Sequence, residues 1–250
     1  MEDSREGIRL ILKKVQDGKV EMTLINPDKQ DPAEAGRMAR LAVELGSDPI
    51  MIGGSTCVDQ ENLDGTVKEI KENVKVPTIL FPGGAHTISR YADAIYFMSI
   101  LNSRNVKNVI GEQRKASLVI KKLGMEPIPM GYLIIEPGMT VGKVGEASLI
   151  PRNDPGAAME YALAGEYLGM KLIYLEAGSG APAPVPQEMI NRVKGEIEIP
   201  LVIGGGIRNP EDTGTVARAG ADIVVTGAIV ELDKTQSILG EIIESVKSAR

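Results

Sequence analysis

Eight short apolar runs, separated by stretches of helical periodicity, constrain the fold of this chain more than any other feature. The runs cover residues 20–25, 49–52, 77–81, 94–98, 129–135, 171–175, 200–203 and 222–226. Helical patterns separate most of them, at residues 60–73, 105–123, 154–169, 185–194, 210–219 and 233–248. Alternating strands and helices predict a parallel sheet. Eight such units in 250 residues predict a (β/α)8 TIM barrel, which typically has about 250 residues. An open doubly wound sheet is the alternative.

Three segments depart from a regular barrel pattern. Ile8, Ile11, Leu12 and Val15 recur at helical spacing and predict an additional helix at the start of the chain. Residues 82–93 are too short and too glycine-rich for a crossover helix, so we expect the third helix to be replaced by a loop. Residues 136–154 contain several glycines and prolines and predict a long connection at the catalytic end of the barrel. We expect one domain over residues 1–250.

Composition excludes several classes of function. The net charge is -6, from 28 basic and 34 acidic residues, and without a basic block this argues against nucleic acid as a partner. A single cysteine, Cys57, excludes an intramolecular disulfide, and a single histidine, His86, argues against zinc. The chain starts with charged residues and has no apolar run of about 18 residues, so we expect neither signal peptide nor transmembrane span. The expected location is cytoplasmic.

Glycines follow the last two predicted strands. Gly204, Gly205 and Gly206 come directly after the seventh run, and Gly227 and Ala228 follow the eighth. Glycine turns at strand ends bring backbone N–H groups close to an anion, and barrels often bind phosphate after strands seven and eight. Glycine also occurs in ordinary tight turns. Two such turns after consecutive strands favour a phosphate site.

The sixth run ends in an acidic, glycine-rich segment with the sequence Tyr174-Leu175-Glu176-Ala177-Gly178-Ser179-Gly180. A glutamate at the carboxyl end of a barrel strand lies at the barrel mouth, where it can accept a proton or hydrogen bond from a substrate hydroxyl. An exposed loop glutamate is the alternative. The alternation of the preceding strand favours an inward-facing Glu176.

These motifs together resemble the geranylgeranylglyceryl phosphate synthase family, the archaeal ether-lipid prenyltransferases, and its bacterial heptaprenyl relatives. The similarity extends over essentially the whole chain. It includes the segment from Tyr174 to Gly180, the Gly-Gly-Gly-Ile turn at 204–207, Gly53-Gly54-Ser55, and the segments at 97–103 and 125–132. A missing third helix is also a feature of that family.

The resemblance implies an activity. The C3 hydroxyl of sn-glycerol 1-phosphate would attack C1 of geranylgeranyl diphosphate and release diphosphate, which forms the first ether bond of archaeal membrane lipids. Glu176 would be the catalytic residue that receives the hydroxyl proton. The implied substrate-binding residues are Tyr174, Leu175, Glu176, Ala177, Gly178, Ser179, Gly180, Gly205, Gly206, Gly227 and Ala228.

The implied cofactor is Mg²⁺, with Asn26, Asp28 and Ser55 as candidate ligands. The family usually has Asp-Pro after the first strand, whereas this chain has Asn26-Pro27 followed by Asp28. An amide oxygen can bind Mg²⁺ but adds no negative charge, so either Asn26 or Asp28 is the expected ligand at this turn.

Other departures bear on the donor and on assembly. Ala228 replaces an asparagine that many relatives have. Near Asn108 and Ala116 the residues are less bulky than in relatives, so the sequence does not fix how long a prenyl tail the groove can hold. Lys143 replaces an aromatic contact of relatives that form hexamers, so a homo-oligomer is expected as either dimer or hexamer. The lipid product implies transient membrane contact, but no basic amphipathic anchor stands out in the sequence.

Three alternative functions remain open from the sequence alone. The first is the same reaction with a prenyl donor of different length. The second is a sugar-phosphate isomerase or flavin-binding barrel that uses the same phosphate-binding turns. The third is a non-catalytic phosphate-binding or scaffold protein, which the asparagine at position 26 would favour.

Overall fold

Eight parallel strands close into a barrel in which every strand pairs with its neighbours in chain order. The computed structural model describes residues 6–53, 59–227 and 236–249. The strands are β1 (Val20–Ile25), β2 (Ile50–Gly53), β3 (Thr78–Phe81), β4 (Ala94–Ile100), β5 (Glu126–Ile134), β6 (Leu172–Glu176), β7 (Leu201–Gly204) and β8 (Ile223–Thr226). The pairing of β1 with β8 closes the ring. The predicted (β/α)8 fold is therefore confirmed, and the open-sheet alternative is wrong.

The first helix precedes the first strand, and the other helices follow the strands and surround the barrel. They are α1 (Glu6–Asp17), α2 (Pro32–Glu44), α3 (Gln60–Asn73), α4 (Glu112–Leu123), α5 (Met139–Val144), α6 (Pro155–Tyr167), α7 (Gln187–Lys194), α8 (Pro210–Arg218) and α9 (Gln236–Lys247). Four of them begin after a short polar side chain that accepts a backbone N–H of the first turn: Asp31, Asp59, Asp154 and Asn209. Such N-caps satisfy donors that the helix itself leaves unpaired.

The barrel interior is a packed core. Inward-facing side chains from all eight strands form it, and Ile11 of α1 contributes to the same cluster. Four aromatic rings form one group in this interior: Phe81, Tyr96, Tyr132 and Tyr174, with the Tyr132 and Tyr174 centroids 5.0 Å apart. Outward-facing residues of the strands pack instead against the helices in two further clusters. Strand alternation thus separates the interior from the helix layer.

The predicted loss of the third helix is confirmed. Residues 82–93 connect β3 to β4 through turns and contain no helix. The helix that follows β4 is also irregular, since it begins with a π-helical turn at Lys107–Gly111 before α4. The outer face of β4 therefore lacks one of the two helices that would normally cover it.

Two boundaries differ from the sequence prediction. Strand β5 begins at Glu126 and not at Pro129, and its two prolines, Pro127 and Pro129, lie before the point where Met130 pairs with Leu172 of β6. Proline is tolerated there because no ladder hydrogen bond to β6 is lost. The connection at 136–154 is not only loop, because it contains α5. No helix in the described ranges is long and apolar enough to cross a membrane.

Candidate phosphate-binding and catalytic site

Glu176 is the last residue of β6 and lies at the mouth of the barrel. It pairs in register with Ile134 of β5 and Gly204 of β7, and its side chain follows Tyr174 on the inward face of the strand. The residue is only 7% exposed. Glu176 therefore points into the barrel mouth, as predicted, and is not an exposed loop residue.

The carboxylate of Glu176 is held by groups on three sides. Its Oε1 accepts a 2.7 Å hydrogen bond from the backbone N–H of Gly178. The hydroxyl groups of Tyr132 and Tyr174 also favour the charged carboxylate as hydrogen-bond donors. Burial opposes these effects and exceeds them, so the pKa of Glu176 is raised above its usual range. A carboxylate with a raised pKa is a better proton acceptor than an ordinary surface glutamate.

Gly205 packs directly against this carboxylate. A Cβ atom at position 205 would lie 2.3 Å from Oε1 of Glu176 and 2.5 Å from the backbone nitrogen of Gly178. The φ angle of Gly205 is 79°, in the left-handed region that favours glycine. The loops after β6 and β7 can therefore approach each other only because position 205 has no side chain.

Unpaired backbone donors surround this contact. Within the described part of the chain, the backbone N–H groups of Ser179 and Gly180 in the first glycine turn, and of Gly205 and Gly206 in the second, form no hydrogen bond. Successive N–H groups in a glycine-rich concavity form an anion-binding site. The N–H of Gly178, in contrast, already donates a hydrogen bond to the carboxylate of Glu176.

Arg208 adds a positive charge to the same corner. Its guanidinium donates to the carbonyl oxygens of Gly180 at 3.2 Å and Ala181 at 2.8 Å. This side chain links the start of α8 to the loop after β6 and fixes the shape of that loop. The arrangement of a buried carboxylate, free N–H groups and a guanidinium can bind a phosphate ester next to a proton acceptor.

The third expected strand end also lies at this mouth. Gly227 follows β8, and a Cβ atom there would lie 3.7 Å from Leu24 near the end of β1. Strands β6, β7 and β8 are consecutive neighbours, so their carboxyl ends are adjacent. Ala228 and Ser55, together with Cys57, lie outside the described residues.

Two residues of the predicted substrate-binding segment point away from the mouth. The side chains of Leu175 and Ala177 are fully buried in the cluster between the barrel and helices α6 and α7. They alternate with Tyr174 and Glu176, which face inward, because successive residues of a strand point to opposite sides. The side chains of Leu175 and Ala177 therefore cannot contact a substrate at the mouth, whereas Ser179 is exposed there.

Asn26 and Asp28 form a turn after β1. The side-chain oxygen of Asn26 accepts the backbone N–H of Asp28 at 3.1 Å, and Gln30 donates to the backbone carbonyl of Asn26 at 2.6 Å. The described ranges contain no group of three His, Cys, Asp or Glu side chains that could bind a metal ion. An amide and a carboxylate oxygen nevertheless suit Mg²⁺, which usually binds one or two protein oxygens together with substrate phosphates.

An apolar groove lies along β4. Its lining includes the inward-facing Tyr96 and Ile100 of β4 together with Ala116 and Ile120 of α4. It passes between α4 and the loop that replaces the third helix, so the missing helix provides the space. The residues expected at the end of a lipid groove, Asn108 and Ala116, both line it.

The sequence alone does not identify Tyr132 or Arg208 as site residues. Tyr132 lies on β5 directly opposite Tyr174 on β6, so its inward direction follows from the strand register. Its position in the sequence, 44 residues before Glu176, gives no sign of this proximity. Arg208 belongs to the glycine turn that the sequence did single out, but its contacts with Gly180 and Ala181 depend on tertiary structure.

Comparison with known proteins gives consistent matches over nearly the whole chain. The model of the PcrB family matches residues 13–246. Geranylgeranylglyceryl phosphate synthase of Pyrococcus horikoshii is 50% identical over 240 residues, which cover 96% of this chain and 94% of that protein. The corresponding protein of Thermococcus kodakarensis is 52% identical over 241 residues, with 95% and 96% coverage.

Solved structures agree with these matches. The crystal structure of (S)-3-O-geranylgeranylglyceryl phosphate synthase from Thermoplasma acidophilum, in complex with its substrate sn-glycerol-1-phosphate, superposes with a TM-score of 0.94 at 46% identity. The alignment covers 96% of this chain and 98% of that chain. Thiamine phosphate pyrophosphorylase from Pyrococcus furiosus, with a TM-score of 0.59 and 16% identity over 94% and 98% of the two chains, shares the fold alone.

Proposed function

The chain belongs to the PcrB family, as the motifs of its sequence predicted, and we propose that it is a prenyltransferase that joins geranylgeranyl diphosphate to sn-glycerol 1-phosphate. Relatives at about 50% identity over almost their full length have the name geranylgeranylglyceryl phosphate synthase. The observation that supports the reaction best is the position of the Glu176 carboxylate beside the two glycine loops with free N–H groups.

The phosphate of the acceptor would lie against the loops after β6 and β7. The N–H groups of Ser179, Gly180, Gly205 and Gly206 form no hydrogen bond in the described part of the chain and are available to phosphate oxygens. In this position the free hydroxyl of the acceptor would be within reach of Glu176. A bound anion would also be favoured by the charge of Arg208.

Glu176 then takes the proton of the attacking hydroxyl. The oxygen at C3 of the acceptor forms a bond to C1 of the prenyl diphosphate, the bond from C1 to the diphosphate oxygen breaks, and diphosphate leaves with the electron pair. The raised pKa of Glu176 favours uptake of this proton. The apolar groove between α4 and the 82–93 loop would bind the prenyl tail and exclude water from the reacting carbon.

Mg²⁺ is the proposed cofactor. Asn26 and Asp28 would bind it at the end of β1, together with oxygens of the substrate and Ser55. When bound, the ion supplies positive charge that stabilises the leaving diphosphate.

A product assay tests the proposal. The protein is incubated with sn-glycerol 1-phosphate, Mg²⁺ and a series of prenyl diphosphates of increasing length, and organic-extractable product is measured. We expect product with the geranylgeranyl donor, and omission of Mg²⁺ or its removal by chelation should suppress it. A shorter or longer preferred donor would correct the chain length only. No product from any donor would reject the function.

A further inference from the structure

The outward side of helix α4 and of the π-helical turn before it is unusually apolar for a surface. Five large aliphatic side chains are between 41% and 71% exposed there: Val106, Ile110, Leu118, Val119 and Leu123. We call these residues and the basic side chains among them the α4 face. Large exposed apolar side chains that recur along one helix of a soluble protein mark a candidate interaction surface.

The α4 face is also basic. Its cations are Lys107, Arg114, Lys115, Lys121 and Lys122. Glu112 is the only acid in this stretch, and it pairs with Lys115 at 2.9 Å and Lys107 at 4.0 Å. Arg114, Lys121 and Lys122 form no ion pair in the part of the chain that the structure describes. A local excess of positive charge therefore occurs in a chain whose net charge is -6.

The opposite side of the same helix lines the apolar groove. Gln113, Ala116 and Ile120 are buried and contact the groove, whereas Leu118 lies on the outer side between the cations. An α-helix with its side chains is about 10 Å thick. A surface that contacts the α4 face is consequently about one helix diameter from the groove.

We propose that the α4 face binds the surface of an anionic lipid bilayer and so places the groove next to the bilayer. The biological purpose of this contact rests on the proposed function, since a prenyl donor and its product partition into lipid. The surface itself is recognised from the charge and exposure of its side chains. Basic side chains interleaved with aliphatic ones on one side of a helix are the pattern of interfacial helices. Cations near anionic headgroups strengthen such binding.

Charge favours lipid over a second copy of the chain. A two-fold contact between two α4 faces would bring the same five cations of each copy together, and like charges repel. Anionic headgroups, in contrast, complement the cations, while the aliphatic side chains can enter the region between headgroups and acyl chains. The sequence alone did not single out this face, because the pattern does not say which apolar residues of the helix are buried.

Vesicle binding tests the proposal. The full chain is mixed with vesicles of phosphatidylglycerol and phosphatidylcholine, or of phosphatidylcholine alone, and the bound fraction is measured by flotation. We expect binding to the anionic vesicles that weakens at high salt. The double variant Lys121→Gln/Lys122→Gln should bind about twenty-five-fold more weakly, at about fivefold per cation, and Leu118→Ser about tenfold more weakly.

Matched variants serve as controls. Lys13→Gln/Arg40→Gln removes the same charge from the exposed sides of α1 and α2, and Leu12→Ser removes a partly exposed leucine of α1. Both should bind anionic vesicles as the unchanged chain does. Equal losses for the control and the α4 variants would overturn the proposal, because binding would then depend on overall charge. Absence of binding to anionic vesicles at low salt would overturn it as well.

Two further measurements separate the proposal from its competitors. With donor in vesicles the α4 variants should transfer prenyl groups about tenfold more slowly, and with detergent-dispersed donor at the same rate as the unchanged chain. Lack of product in both formats would reject the proposed function and leave the vesicle result standing. A lower mass of Leu118→Ser by analytical ultracentrifugation would identify the face as a contact between copies and overturn lipid binding.

Discussion

At the scale of single residues, the candidate site is defined by the environment of one carboxylate. Glu176 is buried, accepts the N–H of Gly178, and has two tyrosine hydroxyls as neighbours. These contacts keep the ionised form accessible, and burial keeps its pKa raised. The balance between the two effects sets the proton affinity of the group.

Replacement of Glu176 by glutamine should lower turnover strongly and preserve substrate binding. The amide keeps the size of the side chain but cannot take a proton, and general-base catalysis contributes about 10² to 10⁴ in rate. Single-turnover rates and the calorimetric affinity for sn-glycerol 1-phosphate check this. An equal loss in rate and affinity would assign Glu176 to binding or folding.

The change Tyr132→Phe should move the acidic limb of the rate profile to higher pH. The Tyr132 hydroxyl stabilises the charged carboxylate, so its removal raises the pKa of Glu176 further, and the active base then forms only at higher pH. The measurement is kcat/KM against pH. Tyr96→Phe is the matched control, because the Tyr96 hydroxyl lies in the same aromatic group and donates to Met22 Sδ at 3.3 Å. Identical profiles for the two variants would contradict the assigned role of Tyr132.

At the scale of elements, the phosphate site depends on the close contact of the loops after β6 and β7. The strands are in register from Ile173–Leu201 to Glu176–Gly204, so their loops begin at the same level. Because residue 205 is a glycine without a side chain, the two loops can come into contact. Arg208 further links the two loops through its hydrogen bonds to carbonyl oxygens.

Substitution Gly205→Ala should abolish phosphate binding and lower the free energy of unfolding by about 1–3 kcal/mol. The new methyl group would overlap Glu176 and Gly178, which cannot both move without separating the loops. Gly169→Ala is the control, since Gly169 also has a positive φ (90°) but no atom within 4 Å of the added Cβ. Phosphate affinity and denaturant unfolding distinguish them. Equal effects of the two changes would attribute the loss to backbone strain alone.

At the scale of the whole molecule, the barrel closes through a buried polar contact. Glu21 of β1 is fully buried on the outer side of the barrel and accepts a 2.5 Å hydrogen bond from Thr226 Oγ1 of β8. Burial raises the pKa of Glu21 to about 7, although hydrogen bonds from Ser47, Thr226 and Thr23 oppose the shift. The residue that precedes the β8 glycine turn is thus fixed by the closing strand pair.

Stability should consequently fall between about pH 4.5 and pH 7. Over this range the unfolded chain releases the Glu21 proton while the folded protein retains it, so rising pH favours unfolding. The expected loss is about 3 kcal/mol in the free energy of unfolding, complete above pH 7. Glu21→Gln should remove this component, and Glu72→Gln on the exposed side of α3 should not. Denaturant titrations at several pH values measure both. A Glu21→Gln curve parallel to that of the unchanged chain would refute the assignment.

Much of the element level was readable from the sequence. Strand β1 and helix α3 have the predicted bounds, and the missing helix at 82–93 follows from length and glycine content. The start of β5 at Glu126 does not follow from the sequence, because Pro127 and Pro129 argue against a strand. Only the strand register shows that the edge of β5 facing β6 is unpaired before Met130. The short α5 was missed because six residues give too little periodicity.

The fold, the order of the strand ends and the position of Glu176 at the mouth follow from the amino-acid sequence, because strand periodicity and chain order dictate all three in a parallel barrel. The contacts of Tyr132 and Gly205 with that carboxylate, and the combination of charge and exposure on one side of α4, become visible only in the folded barrel. The reason is physical: contacts, burial and pKa shifts depend on which residues meet in space, and those residues lie far apart in the chain.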